Sequence, residues 1–356
     1  MKQLSPFRIA AVFAGAFLGA GYVSGQELFQ YFGSFGKAGI IGFFFSLLIM
    51  AFFGVVIMDY GRRTGVTRLD EAVVAADRPG LRKLAAYTQL IAYFGIVIIM
   101  FAGGGAMLAQ LTGLPFWTGS LILAVLAVTV ACFGLTGMVH TFSVLVPIAA
   151  VLSVGISIAA VKHTGTANLA FPVIDLNNPL IPNVPVAIVN YATMNLFTSI
   201  GIFIPLGEKI RSAGKTTAGI LLGNAVLTLI GFAILMAQAA VPESIQKELP
   251  MLAAASSLSS VLSVVYGLLL YFSMFGTGIA ALVVISEYFR GRFPRFEQHR
   301  IPAIIGIGTL GFVLSLFGFA TLVGIIYPIY GYLCILLLVP ILINYIRLFR
   351  KKKADG

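Results

Sequence analysis

Long apolar runs are the feature that most constrains how this chain of 356 residues folds. A helix needs about 20 apolar residues to cross a bilayer core about 30 Å thick, and ten runs reach roughly that length. They lie at 7–32, 38–60, 84–109, 117–136, 138–161, 184–207, 216–240, 262–289, 302–319 and 322–346. The sequence therefore predicts an all-α, polytopic membrane protein with ten transmembrane helices, numbered here as spans one to ten.

The composition leaves no room for a soluble domain. Hydrophobic residues make up 59% of the chain and charged residues 10%, whereas soluble domains carry roughly 25% charged residues. The longest loops, 61–83 and 163–183, are too short to bury a core of their own. We therefore expect residues 1–356 to form a single membrane domain, without a nucleotide-binding or soluble catalytic domain.

The basic residues predict the orientation of the chain. With both termini on the cytoplasmic side, every Lys and Arg except Lys37, Lys162 and Lys247 lies on that side of the membrane. This asymmetry is the one that sets the topology of membrane proteins. We therefore expect a multi-pass protein of the cytoplasmic (inner) membrane. The net charge of +11 then belongs to the membrane rim, so the expected partner is the lipid bilayer and not nucleic acid.

The spans divide into two sets of five around the loop 163–183. Because five is odd, a repeated second half enters the membrane upside down, which predicts inverted repeats at 7–162 and 184–349. The segment Met100–Ala106 resembles Met274–Ala280 at the corresponding place in the second half. Such glycine-rich similarities are common by chance in membrane helices, but the positions of these two segments in spans three and eight agree with the five-plus-five division.

Span one contains four glycines near mid-membrane depth: Gly15, Gly19, Gly21 and Gly25. Two interpretations are open. The glycines form small-xxx-small pairs that let another helix approach, or the helix unwinds around Gly19 to Gly21 and exposes backbone groups to a ligand. Glu27 favours the second, because an ionisable group inside the membrane indicates a functional site. Its alternative is a carboxylate solvated in a water-filled vestibule.

Span six is the matching element in the second half, and it is also polar. Pro205 removes a backbone donor and frees the carbonyl of Gly201, although a simple proline kink would do the same. Paired interruptions at the first span of each half indicate a transporter site near the midplane. The sequence therefore predicts discontinuous helices 1 and 6.

The expected half-helices indicate what binds between them. Those that begin near Tyr22 and Ile202 would direct positive N-terminal ends at a carboxylate, and those that end near Leu18 and Ser199 would offer carbonyls to a cation. A zwitterion matches both kinds of end. The predicted solute is a small amino-acid-like molecule or an organic amine.

The segment Gly19–Glu27 resembles the first helix of the amino acid–polyamine–organocation superfamily, which has the LeuT-like fold, and is also similar to the opening of its YkvI-like bacterial branch. The resemblance covers essentially all ten spans. It implies a LeuT-like 5+5 inverted repeat, in which the backbone amides of Ala20, Gly21 and Tyr22 hold the carboxylate of the solute.

The resemblance also implies a sodium site, built from the carbonyls of Gly15 and Leu18 and the hydroxyls of Ser273 and Thr277. These hydroxyls are one turn apart, and they would equally well bond to their own helix. Sodium is the one ion expected here, with no other cofactor.

A proton is the alternative coupling ion. Burial would favour protonation of Glu27 or Glu208, and both are assigned, with Gln26, to coupling or gating. The solute-binding wall is expected to include Tyr93 opposite span six, although an aromatic stripe also serves helix packing. The expected residues of span six are Asn195, Thr198, Ser199 and Gly201.

Catalysis is not expected. The three histidines, His140, His163 and His299, have no metal-ligand spacing and form no Ser/His/Asp set at one depth. The predicted function is secondary active transport of the small-molecule solute by alternating access, with spans one, two, six and seven rocking against the others. The alternatives are a transporter-like receptor and a passive channel for the same class of solute. A homo-oligomer is left open.

Overall fold

The computed structural model describes residues 5–66, 79–133, 138–210, 212–290 and 296–354. These ranges hold thirteen α-helices and no β-strand beyond an isolated bridge. The helices are α1 (Pro6–Phe17), α2 (Ala20–Ser24), α3 (Gln26–Leu28), α4 (Gly36–Thr64), α5 (Pro79–Thr112), α6 (Phe116–Phe133), α7 (Met138–Thr164), α8 (Val184–Glu208), α9 (Ala213–Ala240), α10 (Pro250–Leu258), α11 (Ser260–Arg290), α12 (Arg300–Ser315) and α13 (Phe319–Ala354). A π-helical turn, Phe29–Gly33, follows α3.

Eight of the described helices are long and apolar enough to cross a membrane: α4 to α9, α11 and α13. The apolar helices α1 and α12 are shorter. The outer surface of the bundle is apolar as well. On α4, Phe45, Leu48 and Phe52 are more than half exposed, while Phe43 and Leu47 on the opposite face are buried. A helix that is apolar on both faces is typical of a membrane span, and the chain is an all-α, multi-pass membrane protein.

Glycines bring α4 and α8 into close backbone contact. Gly61 faces the carbonyl of Ile204, and Gly207 faces the carbonyl of Met58, so closely that a Cβ at either glycine would overlap the oxygen. Small residues at helix contacts are a common packing device in membranes. The contact fixes α8, which carries much of the candidate site, against α4.

The first predicted span is interrupted twice. Helix α1 ends at Phe17 and α2 begins at Ala20, so that Leu18 and Gly19 leave helical geometry. The interruption lies earlier than expected, because the last two residues expected to unwind are helical. A second interruption, which the sequence analysis did not predict, lies at Gly25, where a φ of +82° is a backbone conformation that favours glycine.

The sixth predicted span is continuous. Helix α8 runs from Val184 to Glu208 with Pro205 inside its last turn, so the predicted discontinuity of helix 6, and the half-helix near Ile202, are wrong. The polar side chains do not require unwinding, because they bond to their own helix. The hydroxyls of Thr198 and Ser199 donate to the carbonyl of Asn195 at 3.0 and 2.9 Å.

The two ends of the bundle differ. One carries Arg62, Lys209 and Arg290 at the ends of α4, α8 and α11, and we call it the basic end. The opposite end is covered by the loop between α7 and α8. In that loop the amide of Ile174 donates to the carbonyl of Ser34 at 2.8 Å, and the amide of Ala170 to that of Ala239 at 2.9 Å.

Candidate solute-binding cavity

A cavity of about 250 Å³ lies beside the interruption between α1 and α2. Six segments line it: the end of α1 with Gly19, then α3, α5, α8, α11 and α13. Typical ligand pockets have volumes of about 300 to 1,000 Å³. The cavity lies just below this range, so it suits a solute smaller than a drug-sized ligand.

The cavity extends along the helices towards the basic end. Its lining residues follow helical spacing on three helices: Met100, Ile96 and Tyr93 on α5, Asn195, Thr198 and Ile202 on α8, and Thr277, Ala281 and Val284 on α11. On each helix the first and last of these residues are seven positions apart, which is about 10 Å along the axis at the helical rise of 1.5 Å per residue. In each case the residues are given in the order that approaches the basic end.

Hydrogen bonds close the opposite end of the cavity. The Gln30 amide donates to the carbonyl of Ala320 at 2.8 Å, and the Asn190 amide donates to that of Pro328 at 2.9 Å. The hydroxyl of Tyr31 donates to Oδ1 of Asn190 at 2.9 Å. We call these five residues the clasp. It ties the outer half of the first span and α8 to α13.

An aromatic layer separates the clasp from the cavity. The ring of Tyr191 packs edge-on against Tyr31 and Phe32, with centroid distances of 5.2 and 4.8 Å. All three side chains are fully buried. The hydroxyl of Tyr191 extends the layer to the cavity by donating to Oε1 of Glu27 at 3.1 Å.

Glu27 is the ionisable residue of the cavity wall. Its side chain is buried, with a relative exposure of 4%. Among the described residues only Tyr191 bonds to it, and no Lys, Arg or His pairs with it. Burying a carboxylate without a positive partner is costly, so Glu27 is the most unusual polar group of the site.

The residues of the expected sodium site belong to α1, to Leu18 after its end and to α11. Thr277 lines the cavity, and Ser273 lies one turn earlier on α11. Neither hydroxyl has a hydrogen bond within the described part of the chain, unlike Thr193, which bonds to the carbonyl of Val189 at 2.9 Å. The amide of Gly19 bonds to the carbonyl of Phe17 at 2.7 Å, so the helical bond from this amide to Gly15 is not formed. The described ranges contain no cluster of His, Cys, Asp and Glu that could hold a metal ion.

Six of the fifteen expected site residues line the cavity. The wall includes Glu27, Tyr93, Asn195, Thr198, Gly201 and Thr277. Gly21 lies directly beside it, because a Cβ at Gly21 would contact Oε2 of Glu27 and, at 3.0 Å, the ring of Tyr327.

Four other expected residues have contacts or exposure that do not place them on the wall. The hydroxyl of Tyr22 donates to the carbonyl of Leu227 at 2.6 Å and so serves the packing of α2 on α9. Ser199 is fully buried with its hydroxyl bonded inside α8. Gln26 is buried outside the cavity wall, and its Oε1 has no partner among the described residues. Glu208 is exposed at the end of α8.

The sequence analysis missed Phe17, Tyr191, Met194 and Tyr327, which lie on the wall or bond to it. Apolar and aromatic residues give no signal of their own in a membrane helix. Tyr327 comes from the last helix of the chain, and only packing brings it to Glu27.

A charged network lies at the basic end. The buried carboxylate of Asp59 pairs with Arg62 at 2.6 Å and with Arg63 at 2.5 Å. It also accepts a hydrogen bond of 2.8 Å from the hydroxyl of Tyr345. The network links the end of α4 to α13.

Comparison with known proteins identifies the fold. No family model matches the chain. Two Bacillus subtilis (strain 168) proteins are similar over its length: the uncharacterized protein YyaD, 26% identical over 92% of this chain and 94% of its own, and the uncharacterized membrane protein YkvI, 22% identical over 92% of both chains.

Three solved structures share the fold over most of this chain. MhsT in complex with L-phenylalanine has a TM-score of 0.70 and 18% identity, over 95% of this chain and 89% of its own. Inward-facing Mhp1 has a TM-score of 0.58 and 12% identity, over 94% and 74%. A manganese transporter from Eremococcus coleocola has a TM-score of 0.57 and 13% identity, over 95% and 78%. The chain is therefore a membrane protein with the LeuT-like transporter fold that also resembles YkvI.

Proposed function

We propose that the protein is a secondary active transporter that moves a small amino-acid-like or organic-amine solute across the cytoplasmic membrane by alternating access. The observation that carries this proposal is a cavity beside a helix interruption that extends towards one end of the bundle and is closed at the other. A passive channel would need a path through both ends. The described cytoplasmic segments are short and offer a receptor no output domain.

The contacts between helices support the inverted repeat. In an inverted repeat, spans one to five correspond in order to spans six to ten. The contact of α4 with α8 (spans two and six) then corresponds to that of α9 with α1 (spans seven and one). Likewise, the contact of α13 with α8 (spans ten and six) corresponds to that of α7 with α1 (spans five and one). All four contacts are present. The central pair, α5 and α11, maps onto itself, and there Met274 faces Gly103 while Met100 faces Gly278. We therefore propose repeats at 7–162 and 184–349 within a single transport domain.

The same symmetry supports ten spans. The eight long helices are completed by two shorter ones. The first is the interrupted segment from α1 to the π-helical turn, and the second is α12. An even number of spans leaves both termini on one side, and the basic end assigns that side to the cytoplasm. The cavity then faces the cytoplasm.

Sodium is the coupling ion that we propose first. The hydroxyls of Ser273 and Thr277 are free of bonds to their own helix in the described structure, and helix α11 packs against α2, which begins two residues after Leu18. Neutral oxygen ligands suit a hard alkali cation. A proton on Glu27 is the alternative. Glu208 is less suited to this role, because its side chain is exposed.

Transport in reconstituted vesicles tests the function. Purified protein is inserted into liposomes, and uptake of labelled amino acids and primary amines is followed with and without an inward sodium gradient. We expect accumulation above equilibrium that ends when the gradient is collapsed. Unitary currents would identify a channel, and saturable binding without any flux would identify a receptor.

A further inference from the structure

We propose that Glu27 binds the ammonium group of a primary amine, whose apolar body extends along the cavity towards the basic end. This inference rests on the proposed function only in taking the cavity as the solute site. It assigns Glu27 to recognition of the solute, in contrast to the coupling or gating role expected from the sequence.

The first step is the charge of the cavity. Glu27 is the one residue of its wall with an acidic or basic side chain, and the wall contains no Lys, Arg or His. Its only hydrogen bond within the described structure comes from the neutral hydroxyl of Tyr191. A buried carboxylate is stabilised either by a proton or by a positive partner. The described residues supply no such partner, and a positively charged group of the solute would.

The second step is the local shape. A Cβ placed on Gly21 would lie against Oε2 of Glu27 and within 3.1 Å of both the ring edge and the hydroxyl oxygen of Tyr327. A carboxylate oxygen of Glu27 therefore packs against the backbone of Gly21, and a phenolic oxygen lies close to the same point. An ammonium group has three donors and no acceptor, so it matches a wall that carries these two oxygens near each other. The Tyr327 ring also attracts cations.

The third step is the rest of the wall. Beyond Glu27 the cavity is bordered mainly by apolar side chains, including Ile96, Met100, Met194 and Val284. The polar groups nearest to the basic end, such as Thr198 and Tyr93, are neutral. This gradient orients an amine with its charge towards the clasp and its hydrocarbon part towards the basic end.

Binding to the detergent-solubilised full chain tests the inference without any ion gradient. The probes are 2-phenylethylamine and butylamine, each compared with its neutral alcohol, 2-phenylethanol and 1-butanol. Wild-type protein should bind each amine more tightly than the alcohol by about 10- to 100-fold, the range expected of one charged hydrogen-bonding partner. Calorimetry and ligand-induced thermal shift measure this preference.

Three variants separate recognition from folding. Glu27→Gln should abolish the preference for amine over alcohol, and Glu27→Asp, which keeps the charge, should retain part of it. Gly21→Ala should weaken binding of the amines because its methyl group overlaps Oε2 of Glu27 and displaces the carboxylate. Glu243→Gln is the matched control, since it removes the charge of an exposed glutamate outside the cavity, and its preference should equal that of wild type.

Equal affinity of wild type for amine and alcohol, an unchanged preference in Glu27→Gln, or no saturable binding of either amine would overturn the inference. Size-exclusion profiles and ligand-free thermal midpoints identify a misfolded variant. If Glu27→Gln is misfolded, the amine preference of Glu27→Asp and the amine affinity of Gly21→Ala test the inference in its place. Transport is measured separately. Amine-independent accumulation of another solute would leave the proposed function intact and refute the role of Glu27. Amine binding without transport would support the role of Glu27 and refute the proposed function.

Discussion

Removing the clasp should expose the cavity from its closed end. Two hydrogen bonds of the clasp join groups that alternating access would separate: Gln30 to the carbonyl of Ala320, and Asn190 to that of Pro328. The double variant Gln30→Ala/Asn190→Ala removes both. Each bond contributes about 1 kcal/mol net, so the variant should shift the equilibrium towards opening by about 2 kcal/mol, or about 30-fold.

The bond between Tyr31 and Asn190 supplies a matched control. Both residues belong to the spans expected to move together, so this bond is present whether the closed end is open or shut. Tyr31→Phe should therefore leave the equilibrium nearly unchanged, although it removes a bond of similar length, 2.9 Å. The comparison separates bonds that cross the moving boundary from bonds that only stabilise one side of it.

Cysteine labelling measures the opening. Met194→Cys places a thiol on the cavity wall in a background where Cys132 and Cys334 are replaced. A membrane-impermeant maleimide is added on the side opposite the basic end. When opening is fast compared with labelling, the labelling rate follows the open fraction, so it should rise by about 30-fold in the double variant if that fraction is small in the parent. An unchanged rate, or an equal rise in Tyr31→Phe, would refute the assignment of the clasp as the closing contact.

Three further predictions follow from the packing. Thr277→Ala should weaken sodium activation of transport without loss of expression, while Thr309→Ala, whose hydroxyl bonds to its own helix, should not; equal sodium dependence in both would remove Thr277 from the ion site. Asp59→Asn should lower the stability of the solubilised protein by about 1 to 3 kcal/mol because it weakens the pairs with two arginines, which thermal unfolding in detergent would show as a lower midpoint. Gly207→Ala should reduce the yield of folded protein because a Cβ overlaps the facing carbonyl on α4, whereas Gly155→Ala, with open space around it, should be tolerated; equal yields would contradict the close packing of α4 on α8.

Much of the fold is readable from the sequence because it depends on local composition. A run of apolar residues that must satisfy its own backbone in lipid forms a helix, and the predicted spans match the described helices to within a few residues at most of the ends that the structure describes. The interruption near Gly19 follows from the same local logic. Gly19 and Gly21 lower the helix propensity of this stretch, and the backbone leaves helical geometry at Leu18 and Gly19.

The errors arise where local sequence is ambiguous. Span six contains as many polar residues as an unwound helix would, but Thr198 and Ser199 satisfy their hydroxyls within α8. A polar side chain that can bond to its own helix and one that lines a cavity look the same in a sequence. Tyr22 shows the same ambiguity, because its position in the opening motif indicated the solute while its hydroxyl bonds to α9.

The sequence by itself determined the membrane class, the helix segments, the break in the first span and the presence of a lone acidic residue near it. The tertiary structure decided what that residue faces. Tyr191 and Tyr327 are more than 160 residues from Glu27 in the chain, and both reach it only through the packing of α8 and α13 around the first span. The physical reason is that helix formation depends on neighbours in sequence, whereas the direction of a side chain relative to a cavity depends on how each helix is rotated and packed against the others.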